Sequence, residues 1–371
     1  MNVIVLGAGM VGRAMAIDLA KKHSVTSADL NKKNLDLLPP NIKKTETDLS
    51  DANKIREIIA DTDLVIGAVP GFMGFQTVKT VIEAKKDIVD ISFFPEDCFD
   101  LDDLAKKNEV IAIVDCGVAP GMFNIILGYH NERMQIENFV AMCGGLPVKR
   151  TMPFQYKAPF SPVDVIEIYT RPAKIMVNGK LVTVDALSDI EEINFDEIGT
   201  LEAFNTDGLR SLIRTVKIPN MKEKTLRYPG HTKMMEQLRD MGLFSEEEIT
   251  VHGQKIKPVE FAGALFFPQW KYEPGEEEFT VMRIIIEGTE GGKSKQVQYD
   301  LFDRYDQQTK TSSMERTTGY TATAAASMVL GGLYSQKGIS PPEYLGKEEK
   351  CFRFITDYLK ERNVIYQLKI N

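Results

Sequence analysis

Gly7, Gly9 and Gly12 stand in the spacing G-x-G-x-x-G within "NVIVLGAGMVG", directly after the apolar residues 3–6. At such a corner the absent side chains let backbone N–H groups and a helix N-terminus approach a pyrophosphate. The third glycine lets the helix pack close to the strand. Val11, Met15 and Leu19 recur at helical spacing on one face of the segment that follows. Asp29 ends the next apolar run, about twenty residues beyond the glycines, where a carboxylate accepts hydrogen bonds from ribose hydroxyls and repels a 2′-phosphate. That reading favours NAD, with NADP the lesser alternative because Lys32 and Lys33 lie close by; a helix cap in "NKKNLDLL" is the other use for Asp29.

A second constellation is "LRYPGH", residues 226–231, which sets a cation, a phenol and an imidazole around a Pro-Gly bend. A nicotinamide needs a carbon bearing OH or NH₂ held against it. The planar fork of arginine suits a substrate carboxylate. Arg171 in "YTRPA", Arg210 in "NTDGLRSL" and Arg227 are the candidates, each with a surface ion pair as its plain alternative. Two residues compete as general base. His231 suits neutral pH, and Asp115 ends an apolar strand, where burial raises a carboxyl pKa. Cys116 beside Asp115 has no readable base partner, so covalent catalysis is not expected.

Strands and helices alternate through the first part of the chain. "KKTETDLS" precedes a helix over 51–59, "DLVIGAVP" one over 75–85, and "DIVDIS" one over 101–108, followed by the strand "VIAIVDCG". This alternation predicts a Rossmann-type doubly wound parallel sheet, an α/β fold that binds ligands beyond the carboxyl ends of its strands. The expected cofactor contacts are therefore Gly7, Gly9, Met10, Val11, Gly12, Asp29, Asp48, Ala68, Pro70 and Ser92. From about residue 135 short strands take over. Asn178-Gly179 in "KIMVNGKLVTV" has the two positive-φ residues of a type I′ hairpin, and "FTVMRIIIEG" pairs with "KQVQYDLFD" across "TEGGKS". The prediction is an inserted α+β domain with an antiparallel sheet, followed by a small-residue helix in "TGYTATAAASMVLGGL" that packs back on the first domain. The expected divisions are 1–121 for the dinucleotide-binding domain, 122–315 for substrate binding and dimerisation, and 316–371 for the returning segment.

Composition narrows the classes of function. A chain of 371 residues that is 43% hydrophobic can bury two cores. Net charge of -8 with scattered basic residues gives no footprint for nucleic acid. No apolar run approaches the ~20 residues that cross a bilayer, and no leader pattern opens the chain, so a cytoplasmic protein is expected. Four dispersed cysteines form neither a disulfide framework nor a metal-binding pair, and no metal is expected.

"VIVLGAGMVG", "GAVPGFMG", "VDISFFPED", "DCGVAPGM", "GGLPV", "YTRPA", "EAFNTDGLRSL" and "LRYPGH", in that order along nearly the whole chain, resemble the saccharopine dehydrogenase-like family, most of all its lysine 6-dehydrogenase branch. The resemblance implies oxidation of the ε-amino carbon of L-lysine by NAD, giving an imine that hydrolyses to allysine and cyclises, with ammonia released. It implies a small amino-acid substrate met by Phe93, Arg171, Arg210, Arg227 and Tyr228, and a homodimer. Ala119 stands where fungal saccharopine reductases of this family carry an acidic residue, which weakens a saccharopine assignment. Secondary-amine chemistry like that of carboxynorspermidine synthase stays open, as does a cofactor-binding scaffold without turnover.

Overall fold

The computed structural model describes residues 1–158, 162–273 and 275–371. By contact the chain forms two units, Met1–Met134 with Met314–Ile365 and Gln135–Ser313 with Tyr366–Asn371.

In the first unit, strands β1 (Asn2–Leu6), β2 (Ser24–Asp29), β3 (Lys43–Glu46), β4 (Leu64–Gly67), β5 (Ile88–Asp90) and β6 (Ile111–Ile113) join the late strand β17 (Gly338–Ser340) in the order β17-β6-β5-β4-β1-β2-β3. Every pairing is parallel. Ile4, Val5, Leu6, Val65 and Ile66 have no exposed surface. Continuous apolar runs of this kind are what a parallel sheet covered on both faces requires. Helices α1 (Met10–Leu19), α2 (Lys32–Asp36), α3 (Ala52–Ile58), α4 (Gly71–Glu83) and α5 (Asp102–Lys107) connect the strands. The first of these returns the chain to β2 on one side of β1, whereas β4 lies on the other. That reversal opens a crevice at the carboxyl ends of β1 and β4. Helix α4 begins four residues ahead of the expected 75, because Pro70 precedes its first turn with a backbone already set for it.

The first unit also takes α6 (Met122–Asn131), which packs against α12 (Pro342–Lys347). Gly128 and Gly346 make that packing close: a Cβ on either would lie 2.0–2.1 Å from a carbonyl oxygen of the other helix. The small-residue helix α11 (Ser313–Leu330) lies on α1, where a Cβ on Gly319 would meet Met15 at 3.2 Å. Asp18 of α1 accepts from Thr323 Oγ1 at 2.8 Å, Tyr358 Oη at 2.7 Å and Arg362 Nε at 2.9 Å, tying α11 and α13 (Glu349–Lys360) to the sheet's first helix.

The second unit is a nine-stranded sheet of β7 (Gln135–Pro147), β8 (Ala173–Val177), β9 (Lys180–Val184), β10 (Glu191–Phe195), β11 (Gly199–Asn205), β12 (Asn220–Arg227), β15 (Glu278–Glu290), β16 (Lys293–Arg304) and β18 (Tyr366–Ile370). A separate ribbon pairs β13 (Ile249–Val251) with β14 (Gln254–Ile256). Helices α7 (Pro162–Thr170), α8 (Leu212–Thr215), α9 (His231–Asp240) and α10 (Pro258–Trp270) accompany the sheet. The two hairpins read from the sequence are present: Asn178 and Gly179 have φ of 49° and 74°, and β15 pairs with β16 across Gly291 and Gly292. The expectation of an antiparallel sheet needs correction, because β12 runs parallel to β7. The stretch between these two strands is long enough for the crossover that a parallel pair demands. Met142, Leu146, Tyr169, Leu201, Phe204, Leu226 and Trp270 belong to this unit's apolar core.

Candidate functional site

Two sets of chemistry-bearing residues stand out, one in each unit. In the first unit the chain turns at Gly7 with φ 111°, and a Cβ there would lie 2.4 Å from the Ala68 carbonyl oxygen. A Cβ on Gly12 would lie 2.0 Å from the Gly7 carbonyl oxygen, so only glycine lets α1 sit this close to the strand end. Gly9 differs: its Cβ direction is open space, and as N-cap of α1 it offers no side chain to the helix N–H groups, which start at Met10 and Val11. Open room in front of an uncapped ten-residue helix suits a pyrophosphate. Asp29 follows at the end of β2. Its Oδ2 accepts the Ala8 N–H at 2.7 Å and its Oδ1 the Asn31 N–H at 2.7 Å, which fixes the carboxylate at the glycine corner. The cap of α2 is Asn31, which accepts from the Lys33 N–H, so Asp29 has no capping duty.

The other residues expected at the cofactor lie at the same edge of the sheet. Asp48 follows β3 and accepts the Ser50 N–H at 2.9 Å. Ala68 follows β4, its N–H donating to Leu6 at 2.9 Å, and Pro70 is the N-cap of α4. Ser92 follows β5 with its hydroxyl donated to Asp90, and half-buried Phe93 comes next. Asp115 follows β6 with a left-handed backbone (φ 53°) and 3% exposure. Burial, with the charge of Asp115 among further causes, pushes the Asp90 carboxyl up to about 8. Cys116 is buried, its thiol pushed up first by that burial and then by Asp115 and Asp90, which leaves it a poor nucleophile.

In the second unit the bend "LRYPGH" joins β12 to α9. Gly230 has φ 92°, and Glu202 of β11 accepts the N–H groups of Gly230 and Thr232, closing the start of that helix. Arg227 is 2% exposed. Its Nη1 donates to the Leu226 carbonyl at 2.9 Å and its Nε to Tyr169 Oη at 3.3 Å, with the Tyr156 ring 4.3 Å from its guanidinium carbon. Its Nη2 is buried and makes no hydrogen bond. The hydroxyls of Tyr156 and Tyr272 are also buried without hydrogen-bond partners. Burial raises the pKa of both phenols, so both remain donors. Tyr156 and Phe154 also line a cavity of about 200 Å³ with Lys149, Thr151, Lys157 and Gln269.

His231 is 1% exposed, with both ring nitrogens engaged. The Phe154 carbonyl, 2.8 Å from Nδ1, can only accept, so Nδ1 carries the proton and Nε2 accepts from Tyr169 Oη at 2.9 Å. Burial, then the Arg227 charge, lowers the imidazole to about 3. His231 is thus neutral and locked behind Tyr169, a setting unlike that of an accessible base. Tyr228 turns elsewhere: its hydroxyl donates to the Pro147 carbonyl at 2.9 Å and its ring lies under Arg150. Arg171 donates to Glu167, one turn earlier in α7. Arg210 takes a left-handed backbone (φ 49°) in the loop after β11. Among the described residues, the neighbourhood of Arg227 presents several unmatched donors.

Reasoning from sequence missed Tyr156, Tyr169 and Tyr272. Tyr169 sits in "YTRPA", two residues before the arginine chosen there, and a period of 3.6 in α7 would have turned it inward. Among the described residues there is no cluster of potential metal ligands, and no helix is long and apolar enough to cross a membrane.

Comparison with known proteins gives a consistent picture. Residues 3–113 match the family profile described as the saccharopine dehydrogenase NADP binding domain, and residues 117–365 that of the saccharopine dehydrogenase C-terminal domain. The alpha-aminoadipic semialdehyde synthase of Arabidopsis thaliana is 26% identical over 303 residues, spanning 69% of this chain and 28% of that protein. The saccharopine dehydrogenase (NADP(+), L-glutamate-forming) of Saccharomyces cerevisiae is 26% identical over 272 residues, spanning 69% of this chain and 61% of that protein. The chain thus spans less than two thirds of the length of these two relatives. The carboxyaminopropylagmatine dehydrogenase of Synechocystis is 21% identical over 374 residues, spanning 91% of each. The apo saccharopine dehydrogenase (L-Glu forming) structure from Saccharomyces cerevisiae superposes with a TM-score of 0.81 at 21% identity, over 100% of this chain and 99% of that one, and shares the fold.

Proposed function

Because this chain belongs to the saccharopine dehydrogenase family, we propose that it is a pyridine-nucleotide-dependent oxidoreductase acting on a carbon–nitrogen bond of an amino acid or amine, and in particular an NAD-dependent dehydrogenase of the ε-amine of L-lysine. The observation that carries the substrate half is the buried Nη2 of Arg227, unmatched beside the unmatched phenol of Tyr156. Buried donors left without acceptors cost roughly 1–3 kcal/mol each, and a carboxylate satisfies them together. His231 and Tyr169 act as positioning residues: the imidazole fixes the hydroxyl, and the hydroxyl holds the guanidinium through Nε.

A bound nicotinamide supplies the acceptor for a hydride. The substrate carbon gives up that hydride, its nitrogen gives up a proton, and the resulting imine takes up water and releases ammonia. We assign the amine proton to Asp115, which stands at the end of β6 on the edge where the cofactor residues gather. Asp29 supports NAD: its carboxylate is held at the glycine corner, where it would repel a 2′-phosphate. The matched profile and the yeast relative are both described with NADP, so the choice of nucleotide is tested directly.

A second reading is a dehydrogenase of secondary amines, supported by a relative named carboxyaminopropylagmatine dehydrogenase that matches over 91% of both chains. Incubation with L-lysine, saccharopine and carboxyaminopropylagmatine, each with NAD⁺ and NADP⁺ at neutral and alkaline pH, separates the readings by nicotinamide absorbance. Reduction with lysine and release of ammonia supports the first. Reduction with a secondary amine alone supports the second, and no reduction with any of the three opposes both.

A further inference from the structure

Glu223 lies four residues before Arg227 on β12, and because side chains alternate along a strand, Glu223, Thr225 and Arg227 share one face. Glu223 is 6% exposed and Arg227 2%, yet among the described residues neither forms an ion pair. Their Cα atoms are about 13 Å apart along an extended strand, and although the Arg227 charge acts on Glu223, the two form no ion pair.

The surroundings of Glu223 are built to keep a carboxyl group there. Thr206 donates its hydroxyl to Glu223 Oε2, and Thr225 Oγ1 lies 3.0 Å from Thr206 Oγ1. Since the single proton of Thr206 goes to the carboxylate, Thr225 donates to Thr206, and both hydroxyls are oriented toward the acid. A Cβ on Gly208 would lie 2.4 Å from Glu223 Cδ, so a larger residue there would displace the carboxyl. The segment "NTDG", residues 205–208, thus frames Glu223.

A buried acid and a buried cation, neither in an ion pair and set apart on one face, match a ligand that carries both an ammonium and a carboxylate. We propose that Glu223 seats an ammonium group of the ligand whose carboxylate meets Arg227, so that this unit selects amino acids over simple acids. The proposal rests on the carboxylate reading of Arg227 given above. Burial raises Glu223 to about 7, with the charge of Asp207 adding to the rise and Thr206 and Arg227 opposing it; the Cys143 thiol on β7 is in turn raised by burial and by Glu223. An incoming ammonium would favour the ionised acid.

Calorimetry on protein saturated with reduced nucleotide, titrated with L-lysine and with hexanoate, tests this. The wild type should prefer lysine, and Glu223→Gln, which keeps size and removes charge, should cut that preference about tenfold or more while hexanoate binding persists. In the wild type the preference should also grow as pH rises through about 7, a readout that needs no variant. An unchanged preference in Glu223→Gln, or one that is flat across that range, overturns the assignment of Glu223. The reading of Arg227 fails separately, if hexanoate binding survives Arg227→Ala.

Discussion

The two candidate cradles are made of different material. At the carboxyl ends of β1 and β4 the chain offers backbone: positive-φ Gly7, open Gly9 and an uncapped helix start, with Asp29 as the one carboxylate held against them. On β12 it offers buried side chains in a hydrogen-bonded series from the Phe154 carbonyl through His231 and Tyr169 to Arg227. A backbone cradle fails when atoms are added, and a side-chain cradle fails when atoms are taken away. On the proposed function the first is indifferent to what the substrate is and the second carries specificity, because an unmatched buried donor rejects a ligand that cannot satisfy it.

The largest effect expected is from removal in the second cradle. Arg227→Ala should raise the Michaelis constant for the amine substrate roughly 30- to 1000-fold, the scale of one lost hydrogen-bonded charge, with nucleotide affinity unchanged. Steady-state kinetics alongside a nucleotide titration reads both. Addition in the first cradle comes next: Gly7→Ala should lower stability by about 2–4 kcal/mol through clash and φ strain and should weaken nucleotide binding, as denaturant titration and calorimetry would report. Asp29→Ala should weaken NAD binding about tenfold and narrow the gap to NADP; equal affinities before and after would remove Asp29 from the ribose site.

The smallest effect is in pH dependence. His231 has its pKa lowered by burial, so the folded state resists a proton that the unfolded chain takes up near 6.5. Its contribution to stability is present above that value and is lost as pH falls toward about 3. Asp90 and Glu223, both raised, have the opposite sign: their contributions are present at low pH and are lost as pH climbs through about 8 and about 7. Melting curves should therefore show a shallower acid limb for His231→Gln and a shallower loss on the alkaline side for Asp90→Asn.

The same contrast explains what could be read from the chain. A backbone cradle needs glycines at fixed local spacing, so Gly7, Gly9, Gly12 and Asp29 were legible, as were the parallel sheet and both hairpins. The second cradle is assembled from β12, α7, α9 and the loop of Tyr156, segments distant in sequence. Only Arg227 and His231, adjacent to the Pro-Gly bend, drew notice there. Tyr156 and Tyr169 gave no local signal, and the parallel pairing of β12 with β7 depends on a crossover that no window of residues contains. Glu223 gave no such signal either, since residues 222–225, "KEKT", are polar at every position and show no alternation.

The central claim is that Arg227 receives the carboxylate of an amine oxidised at the expense of a nicotinamide. Initial rates of nicotinamide reduction with L-lysine and the secondary-amine panel, compared between wild type and Arg227→Ala at saturating nucleotide, test it most directly. Amine-dependent reduction by the wild type, with a Michaelis constant that rises at least about 30-fold in the variant, is the predicted result. Reduction that proceeds equally well without Arg227 would contradict it.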